Sequence, residues 1–109
     1  LHRLIRRQRQ MCIRDSRSAV ATTKDGKVLL ITVDGRFPEQ AGGVNIPELA
    51  HLIRVLGGED ALNLDGGGST TLWLSGASDN GVVNYPCDNG RFDHAGERKV
   101  PNILYITHQ

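Results

Sequence analysis

The sequence has few aromatic residues and few cysteines. Aromatic residues make up 5% of the 109 residues, so a core must be built mainly from aliphatic side chains. Cys12 and Cys87 are too few for a disulfide framework and form no CxxC metal pair. No run approaches the roughly 18 apolar residues of a membrane-spanning helix. A disulfide scaffold is therefore excluded, no transmembrane segment is predicted, and the length suits one small domain.

Positive charge is also scarce outside the first residues. The formal net charge is +1, but residues 1–16 carry +4 and residues 17–109 carry −3. The basic character therefore belongs entirely to the first sixteen positions. This distribution excludes a globally basic nucleic-acid-binding domain, and we expect no nucleic-acid partner.

Residues 1–16 are predicted to be a leader separate from a domain over residues 17–109. The leader lacks the apolar stretch of roughly 7–15 residues that a secretory signal requires. Residues 6–16 resemble the conceptual translation of a sequencing adaptor, which predicts a non-native segment and a truncated domain. The alternatives are a disordered basic tail and an arm that binds RNA or a membrane.

The pattern of apolar residues predicts an α/β fold (an α+β mixed sheet) that begins with a β-hairpin. Residues 18–23 and 28–33 are rich in β-branched and apolar residues, and Asp25-Gly26 between them favours a tight turn. The second run is almost continuously apolar, which is typical of a strand covered on both faces.

A helix is predicted to begin after Asn45. Asn45 and Glu48 have the spacing of a capping box, and Pro47 lies in the first turn, where its missing N–H costs little. Gly57-Gly58 end the helix. Its apolar face consists of Ile46, Leu49, Ala50, Ile53 and Leu56.

A strand over residues 61–65 is predicted to follow, with Asn63 and Asp65 on one face. It leads into a glycine-rich loop, Gly66-Gly67-Gly68-Ser69-Thr70. Further short strands are predicted at residues 71–74, 82–83 and 103–107. Because a strand, helix, strand unit joins parallel strands, the turns after residues 33 and 65 should meet at one sheet edge, where α/β sheets bind ligands.

The glycine-rich loop is a candidate anion site. Its N–H groups can form a nest for an anion, with the hydroxyls of Ser69 and Thr70 as further donors. No lysine follows the glycines, so the loop is not a Walker motif, and it does not fit a GxSxG nucleophile elbow. A tight structural turn is the alternative interpretation.

The charged residues near the loop divide into two kinds. Arg36 and Arg98 suit an anionic group, because guanidinium binds phosphate oxygens in a bidentate fork. Solvated surface arginines are the alternative. Asp65 would repel a phosphate by several kcal/mol at close range, so it must face a cation or another part of the substrate. A divalent cation would resolve this conflict, but no cofactor is identified and no ligand cluster follows from the spacing.

Five blocks that recur in order carry a family resemblance. They are Val33-Asp34-Gly35-Arg36, Ile46-Pro47-Glu48-Leu49-Ala50, the run from Ala61 through Asn63-Leu64-Asp65-Gly66-Gly67-Gly68-Ser69 to Thr71, Val83-Asn84-Tyr85-Pro86, and Glu97-Arg98-Lys99-Val100. Over residues 17–107 the chain is similar to the phosphodiester glycosidase family. Asn-Leu-Asp-Gly-Gly-Gly-Ser is the most specific part of the resemblance.

The resemblance implies a hydrolase that cleaves the glycosidic bond of a sugar-1-phosphodiester and releases a free sugar and a phosphomonoester. It implies that Arg36, Arg98 and the glycine-loop amides hold the phosphate. Asp65, with Asp34 or Glu48 as second carboxylate, would serve the sugar carbon and the water. The capping box explains Glu48 equally well. Further substrate contacts are expected from Asn63, Asn84 and Arg17. For Asn63 and Asn84, the alternative is that they satisfy local backbone groups.

The chain departs from the family pattern in two ways. Family domains are longer and carry an upstream Asn-Gly-Phe-Phe-like stretch that has no match here, so we expect the C-terminal part of a larger domain. Lys99 stands where proline is common, and Cys87 where serine is common. The family favours an extracytoplasmic or cell-envelope location. The alternative functions are a non-catalytic module that binds phosphorylated or anionic polysaccharide, and a folded remnant with neither activity.

Overall fold

A three-stranded antiparallel sheet with one helix on its face organises the chain in the computed structural model, which describes residues 13–107. The strands are β1 (Arg17–Thr23), β2 (Val28–Val33) and β3 (Gly58–Asn63). The helix, α1, is Ile46–Val55, and a short 3₁₀ turn follows at Gly67–Ser69. The α/β class is confirmed. Most of the predicted leader lies outside the described residues.

β1 and β2 form the predicted hairpin. Their register pairs Arg17 with Val33 and Thr22 with Val28. Gly26, in the turn, has a φ of +86°, a conformation that glycine adopts without a steric penalty. The hairpin predicted from Asp25-Gly26 is therefore confirmed.

The sheet order is β2-β1-β3, with β1 antiparallel to both neighbours. β2 and β3 consequently run in the same direction, as the crossover pattern predicted, but β1 lies between them. β3 begins earlier than expected, at Gly58, and ends at Asn63. Asp65 thus lies beyond the strand, in the approach to the glycine-rich loop.

The capping box predicted for α1 is present. The Asn45 side chain accepts a hydrogen bond from the Glu48 N–H at 2.9 Å, and the Glu48 carboxylate accepts one from the Asn45 N–H at 3.0 Å. Gly57, with a φ of +94°, ends the helix. The buried core joins α1 to β1 through Leu49, Ile53, Ala19 and Ala21.

Three predictions about strands differ from the structure. β2 is not covered on both faces, because α1 packs on only one face of the sheet. The opposite face is open to solvent, where Leu62 of β3 is 62% exposed. Residues 103–107 are exposed and form no strand, because their backbone groups pair with nothing in residues 13–107. Residues 71–83 contain only an isolated bridge, between Trp73 and Val82.

None of the helices in the described part of the chain has the length and apolar character needed to cross a membrane.

Replacing Asn45 with alanine tests the cap. The variant loses the acceptor for the Glu48 N–H, so we expect the free energy of unfolding to fall by about 1 kcal/mol. Urea denaturation measures the change. Asn102→Ala, at an exposed position, is the control and should leave stability unchanged. Equal stability of the two variants would contradict the assigned cap.

Candidate functional site

The site lies at the sheet edge where β2 and β3 end and β1 begins. The Ser16 carbonyl, just before β1, accepts a hydrogen bond from the Gly67 N–H at 3.0 Å. A Cβ atom on Gly35 would lie 2.5 Å from the Ser16 nitrogen, and one on Gly66 would lie 2.8 Å from its oxygen. The two turns that follow β2 and β3, Asp34-Gly35 and Asp65-Gly66, therefore meet on either side of the Ser16 backbone.

Arg36 is held above Gly67. Its backbone has a φ of 64°, which is uncommon for a residue with a side chain. Its guanidinium donates to both Asp15 oxygens, at 2.9 and 3.1 Å, and this carboxylate raises the pKa of Arg36. A Cβ atom on Gly67 would lie 2.7 Å from Arg36 Nη2. A side chain at this position would therefore push the guanidinium of Arg36 away from its present place.

Arg98 is held above the next glycine. Its Nη2 donates to Asp88 Oδ1 at 2.6 Å. A Cβ atom on Gly68 would collide with Arg98 Nη2 and would lie 2.7 Å from Asp88 Oδ1. Adjacent glycines therefore each accommodate one arginine.

The two arginines, Asp15, Asp88 and Cys87 form what we call the arginine cluster. Asp88 raises the pKa of Arg98, while the charge of Arg36 opposes this rise, so the two guanidinium groups are near enough to interact. Both also interact with Cys87. The arginine side chains are 54% and 46% exposed, which leaves them accessible to a ligand.

The 3₁₀ turn uses most of the amides expected to form an anion nest. The N–H groups of Gly67, Ser69 and Thr70 donate to backbone carbonyls at 3.0 to 3.2 Å. Within residues 13–107, the Gly66 and Gly68 amides have no such acceptor. Ser69 is half-buried, whereas Thr70 is 1% exposed and its hydroxyl lacks a partner in the described chain.

The Asp34 carboxylate binds the segment around Asn84 and Tyr85, which is distant in sequence, to the site. Its Oδ1 accepts hydrogen bonds from the Asn84 amide at 3.1 Å and from the Tyr85 N–H at 3.0 Å. Asn84 is buried and also bonds to the Leu72 N–H at 2.8 Å and to the Thr70 carbonyl at 2.9 Å. Asn84 thus satisfies backbone groups, which is one of the two roles considered for it.

Aromatic rings extend this attachment towards the loop that carries Asp88. Tyr85 stacks on Phe92 with centroids 4.1 Å apart and on His94 at 4.3 Å. Phe92 also meets Phe37 edge to face at 5.2 Å. The segment after Arg36 and the loop before Arg98 are therefore packed together.

Asp65 and Asn63 take no part in the hydrogen bonds and ion pairs of Arg36 and Arg98. Asp65 is exposed; its backbone carbonyl accepts a hydrogen bond from the Ser18 hydroxyl. Its carboxylate makes no hydrogen bond or ion pair within the described chain. Asn63 lines a groove of about 460 Å³ between α1 and β3.

Glu48 and Arg17 both make contacts that maintain the fold. The second Glu48 oxygen pairs with Arg14 at 2.9 Å, so both carboxylate oxygens have partners at the start of α1. Arg17 donates to the carbonyls of Val44 at 3.2 Å and Ile13 at 2.8 Å. The catalytic role of Glu48 and the substrate contact of Arg17 stay predictions.

Sequence reasoning missed Asp15 and Asp88 as partners of the arginines. Asp15 belongs to the predicted leader of residues 1–16, and the division after residue 16 stays a prediction. The backbone of Asp15 nevertheless bonds to Val44, and that of Ser16 bonds to Gly67. Asp88 lies ten residues before Arg98 in a polar loop with few structural signals. Its position two residues after the Val83–Pro86 block was the only available indication.

In the described ranges, no group of three His, Cys, Asp or Glu side chains is arranged to hold a metal ion.

The Gly68→Ala substitution tests the packing of Arg98. The added methyl group displaces the flexible ends of Arg98 and Asp88 and no backbone, so we expect a folded protein that binds phosphate about tenfold more weakly. Titration with inorganic phosphate measures the loss. Gly42→Ala, which adds a methyl group in open space, is the control. Equal affinities of the two variants would refute the arrangement.

Arg98→Gln tests the ion pair with Asp88. The hydrogen bond from Arg98 lowers the pKa of Asp88, so the variant should titrate Asp88 at a higher pH than the parent. Carbon-13 NMR of the carboxyl groups follows this change. Asp25, whose pKa is lowered by the Thr23 hydroxyl, should titrate as before. An unchanged titration of Asp88 would show that the hydrogen bond from Arg98 does not lower its pKa.

A model of the family described as "Phosphodiester glycosidase" matches residues 4–107 of the chain. N-acetylglucosamine-1-phosphodiester alpha-N-acetylglucosaminidase of Mus musculus is 34% identical over 77 residues, which are 71% of this chain and 14% of that protein. The same enzyme of Bos taurus is 35% identical over 74 residues, 68% of this chain and 13% of its own length. The chain thus spans about one-seventh of these relatives.

A solved structure agrees with these sequence matches. The crystal structure of a Burkholderia pseudomallei K96243 protein, described as "Putative exported protein", aligns with a TM-score of 0.64 and 37% sequence identity. The alignment covers 74% of this chain and 15% of the other. The chain therefore belongs to the phosphodiester glycosidase family.

Proposed function

We propose that the protein hydrolyses the glycosidic bond of a sugar-1-phosphodiester and releases a free sugar and a phosphomonoester. The observation that carries this proposal is the placement of two accessible guanidinium groups above adjacent glycines, Arg36 above Gly67 and Arg98 above Gly68. The names of the mouse and bovine relatives, which specify an N-acetylglucosamine-1-phosphodiester, support this class of bond.

The arginine pair supplies the phosphate contacts. Guanidinium groups bind phosphate oxygens through paired N–H donors, and such charge-assisted hydrogen bonds are among the strongest available to a protein surface. The Gly68 N–H and the Ser69 hydroxyl lie in the same turn and complete the set of donors. A phosphodiester carries one negative charge, and it would compete with the carboxylates of Asp15 and Asp88 for the N–H donors of the two arginines.

Asp65 is the proposed catalytic carboxylate. It directly precedes the glycines next to which the phosphate is proposed to bind, and its side chain is exposed, so a substrate can reach it. In the proposed step, Asp65 accepts a proton from water while the water oxygen bonds to the anomeric carbon. The bond from that carbon to the phosphate oxygen breaks, and its electron pair leaves with the phosphomonoester. The carboxylate also stabilises positive charge on the sugar carbon.

Asp34 is the proposed second carboxylate. The contacts of Asp34 with Asn84 and Tyr85 fix its orientation at the end of β2. Both oxygens of Glu48 are already engaged at the start of α1, so we favour Asp34 over Glu48. Asn63 remains a candidate for a sugar hydroxyl.

A non-catalytic module that binds phosphorylated or anionic polysaccharide would use the same arginine pair. The observation that favours it is that the exposed Asp65 carboxylate has no hydrogen-bonding partner within residues 13–107 to orient it for catalysis. The two functions differ in outcome: the module binds a diester and forms no product.

The setting that we propose is extracytoplasmic and bacterial, with an exopolysaccharide or related glycan as the source of the diester. The description of the Burkholderia relative as an exported protein supports export. Detection of the native protein outside the cytoplasmic fraction would test it.

The Asp65→Asn substitution tests catalysis. Asparagine keeps the shape of the side chain but cannot accept the proton, so we expect the rate to fall by about 100-fold or more. The assay measures free sugar released from methyl diesters of sugar-1-phosphates, including that of N-acetylglucosamine.

Asp60→Asn is the matched control, because Asp60 is an exposed carboxylate on β3. It should keep the parent rate. An unchanged rate in Asp65→Asn would remove Asp65 from the mechanism, and binding without any sugar release in the parent protein would favour the non-catalytic module.

A further inference from the structure

Asp88 is less firmly held than the other carboxylate of the arginine cluster. Asp15 makes two hydrogen bonds to Arg36, accepts a third from the Ser16 N–H at 2.8 Å, and pairs its backbone with Val44. In residues 13–107, the Asp88 side chain makes one hydrogen bond, to Arg98. It is also exposed, so it can leave Arg98 without disturbing a core.

Asp88 occupies the space that a bound phosphate needs. Its Oδ1 lies 2.7 Å from the position of a Cβ on Gly68, directly beside the Arg98 Nη2 group. A carboxylate oxygen and a phosphate oxygen accept the same guanidinium hydrogen bonds. A phosphate oxygen that accepts the Arg98 Nη2 hydrogen bond beside Gly68 therefore takes the place of the Asp88 oxygen.

The surrounding loop does not depend on Asp88. Asp93 accepts hydrogen bonds from the Asn89 amide and the Ala95 N–H, each at 3.0 Å. Phe92 is fixed by the stacked Tyr85. Displacement or replacement of Asp88 therefore leaves the organisation of residues 89–95 in place.

The charge of the cluster adds a second effect. Arg36 and Arg98 are formally balanced by Asp15 and Asp88. The repulsion between Asp88 and a nearby anion is proportional to the charge of that anion. A phosphodiester carries one negative charge, whereas a phosphomonoester carries almost two above its second pKa, near 6.

We propose that Asp88 is a specificity-determining residue, which competes with bound phosphate for Arg98 and disfavours the dianionic phosphomonoester more than the singly charged diester. The inference rests on the proposed function, in which the diester is the substrate and the monoester the product. Asp88 returns to Arg98 as the product departs, so the same ion pair that weakens substrate binding also limits product inhibition.

The test compares two small probes that differ in charge. Dimethyl phosphate represents the diester and methyl phosphate the monoester, and NMR titrations at pH 8 give the affinity of each. The proteins are the parent chain, Asp88→Asn, Asp88→Ser and the control Asp79→Asn, which removes an exposed carboxylate outside the cluster.

We expect Asp88→Asn and Asp88→Ser to bind dimethyl phosphate about two- to fivefold more tightly, as for loss of an exposed competing ion pair. Methyl phosphate should gain more than dimethyl phosphate, because the repulsion from Asp88 that the substitutions remove grows with the charge of the anion. Asp79→Asn should bind both probes like the parent.

Four outcomes would overturn the inference. Weaker binding in the Asp88 variants would make Asp88 a residue that positions Arg98, and equal gains for both probes would remove the selection by charge. Parent-like affinities in every variant would leave the phosphate site intact and remove Asp88 from it. If neither probe binds the parent or Asp88→Asn, the phosphate site fails, and the proposed function with it.

Discussion

The close contact between the Asp15–Ser16 backbone and three glycines is the constraint on which the site depends. Cβ atoms on Gly35, Gly43 and Gly66 would lie 2.5, 2.6 and 2.8 Å from backbone atoms of these two residues. Backbone atoms cannot rotate aside as side chains can. The start of β1 is therefore clamped between the loop before α1, the end of β2 and the approach to the 3₁₀ turn.

The backbone contacts at Asp15 and Ser16 and the arginine cluster require glycine for different reasons. Gly35 and Gly66 admit a neighbouring backbone, and a larger residue there would separate the turns. Gly67 and Gly68 admit the flexible ends of Arg36 and Arg98. Gly35 and Gly66 thus allow the two turns to meet, whereas Gly67 and Gly68 allow the two guanidinium groups to lie against the loop. Fold and candidate phosphate contacts are consequently sensitive to different substitutions within one short loop.

Local signals predicted the local structure well. Asp25-Gly26 indicated the hairpin, and Asn45 with Glu48 indicated the helix start, because each depends on neighbours in sequence. The convergence of the two turns followed from the crossover pattern. Arg36 and Arg98 were candidates for an anionic group from their chemistry, and the family resemblance identified that group as a phosphate. The partners Asp15 and Asp88 could not be predicted, because an ion pair between distant segments leaves no periodic signal. The amides of the glycine-rich loop were overestimated as donors to a ligand, because those of Ser69 and Thr70 bond within the loop and that of Gly67 bonds to the Ser16 carbonyl.

The central claim is that a phosphodiester binds to Arg36 and Arg98 above the glycine-rich loop. The most direct measurement is a map of NMR shift changes for backbone amides and arginine Nε–H groups during titration with a sugar-1-phosphate methyl diester. We predict saturable changes at Gly68 and at the Nε–H groups of both arginines. Changes confined to the groove between α1 and β3, where Asn63 lies, would contradict the claim.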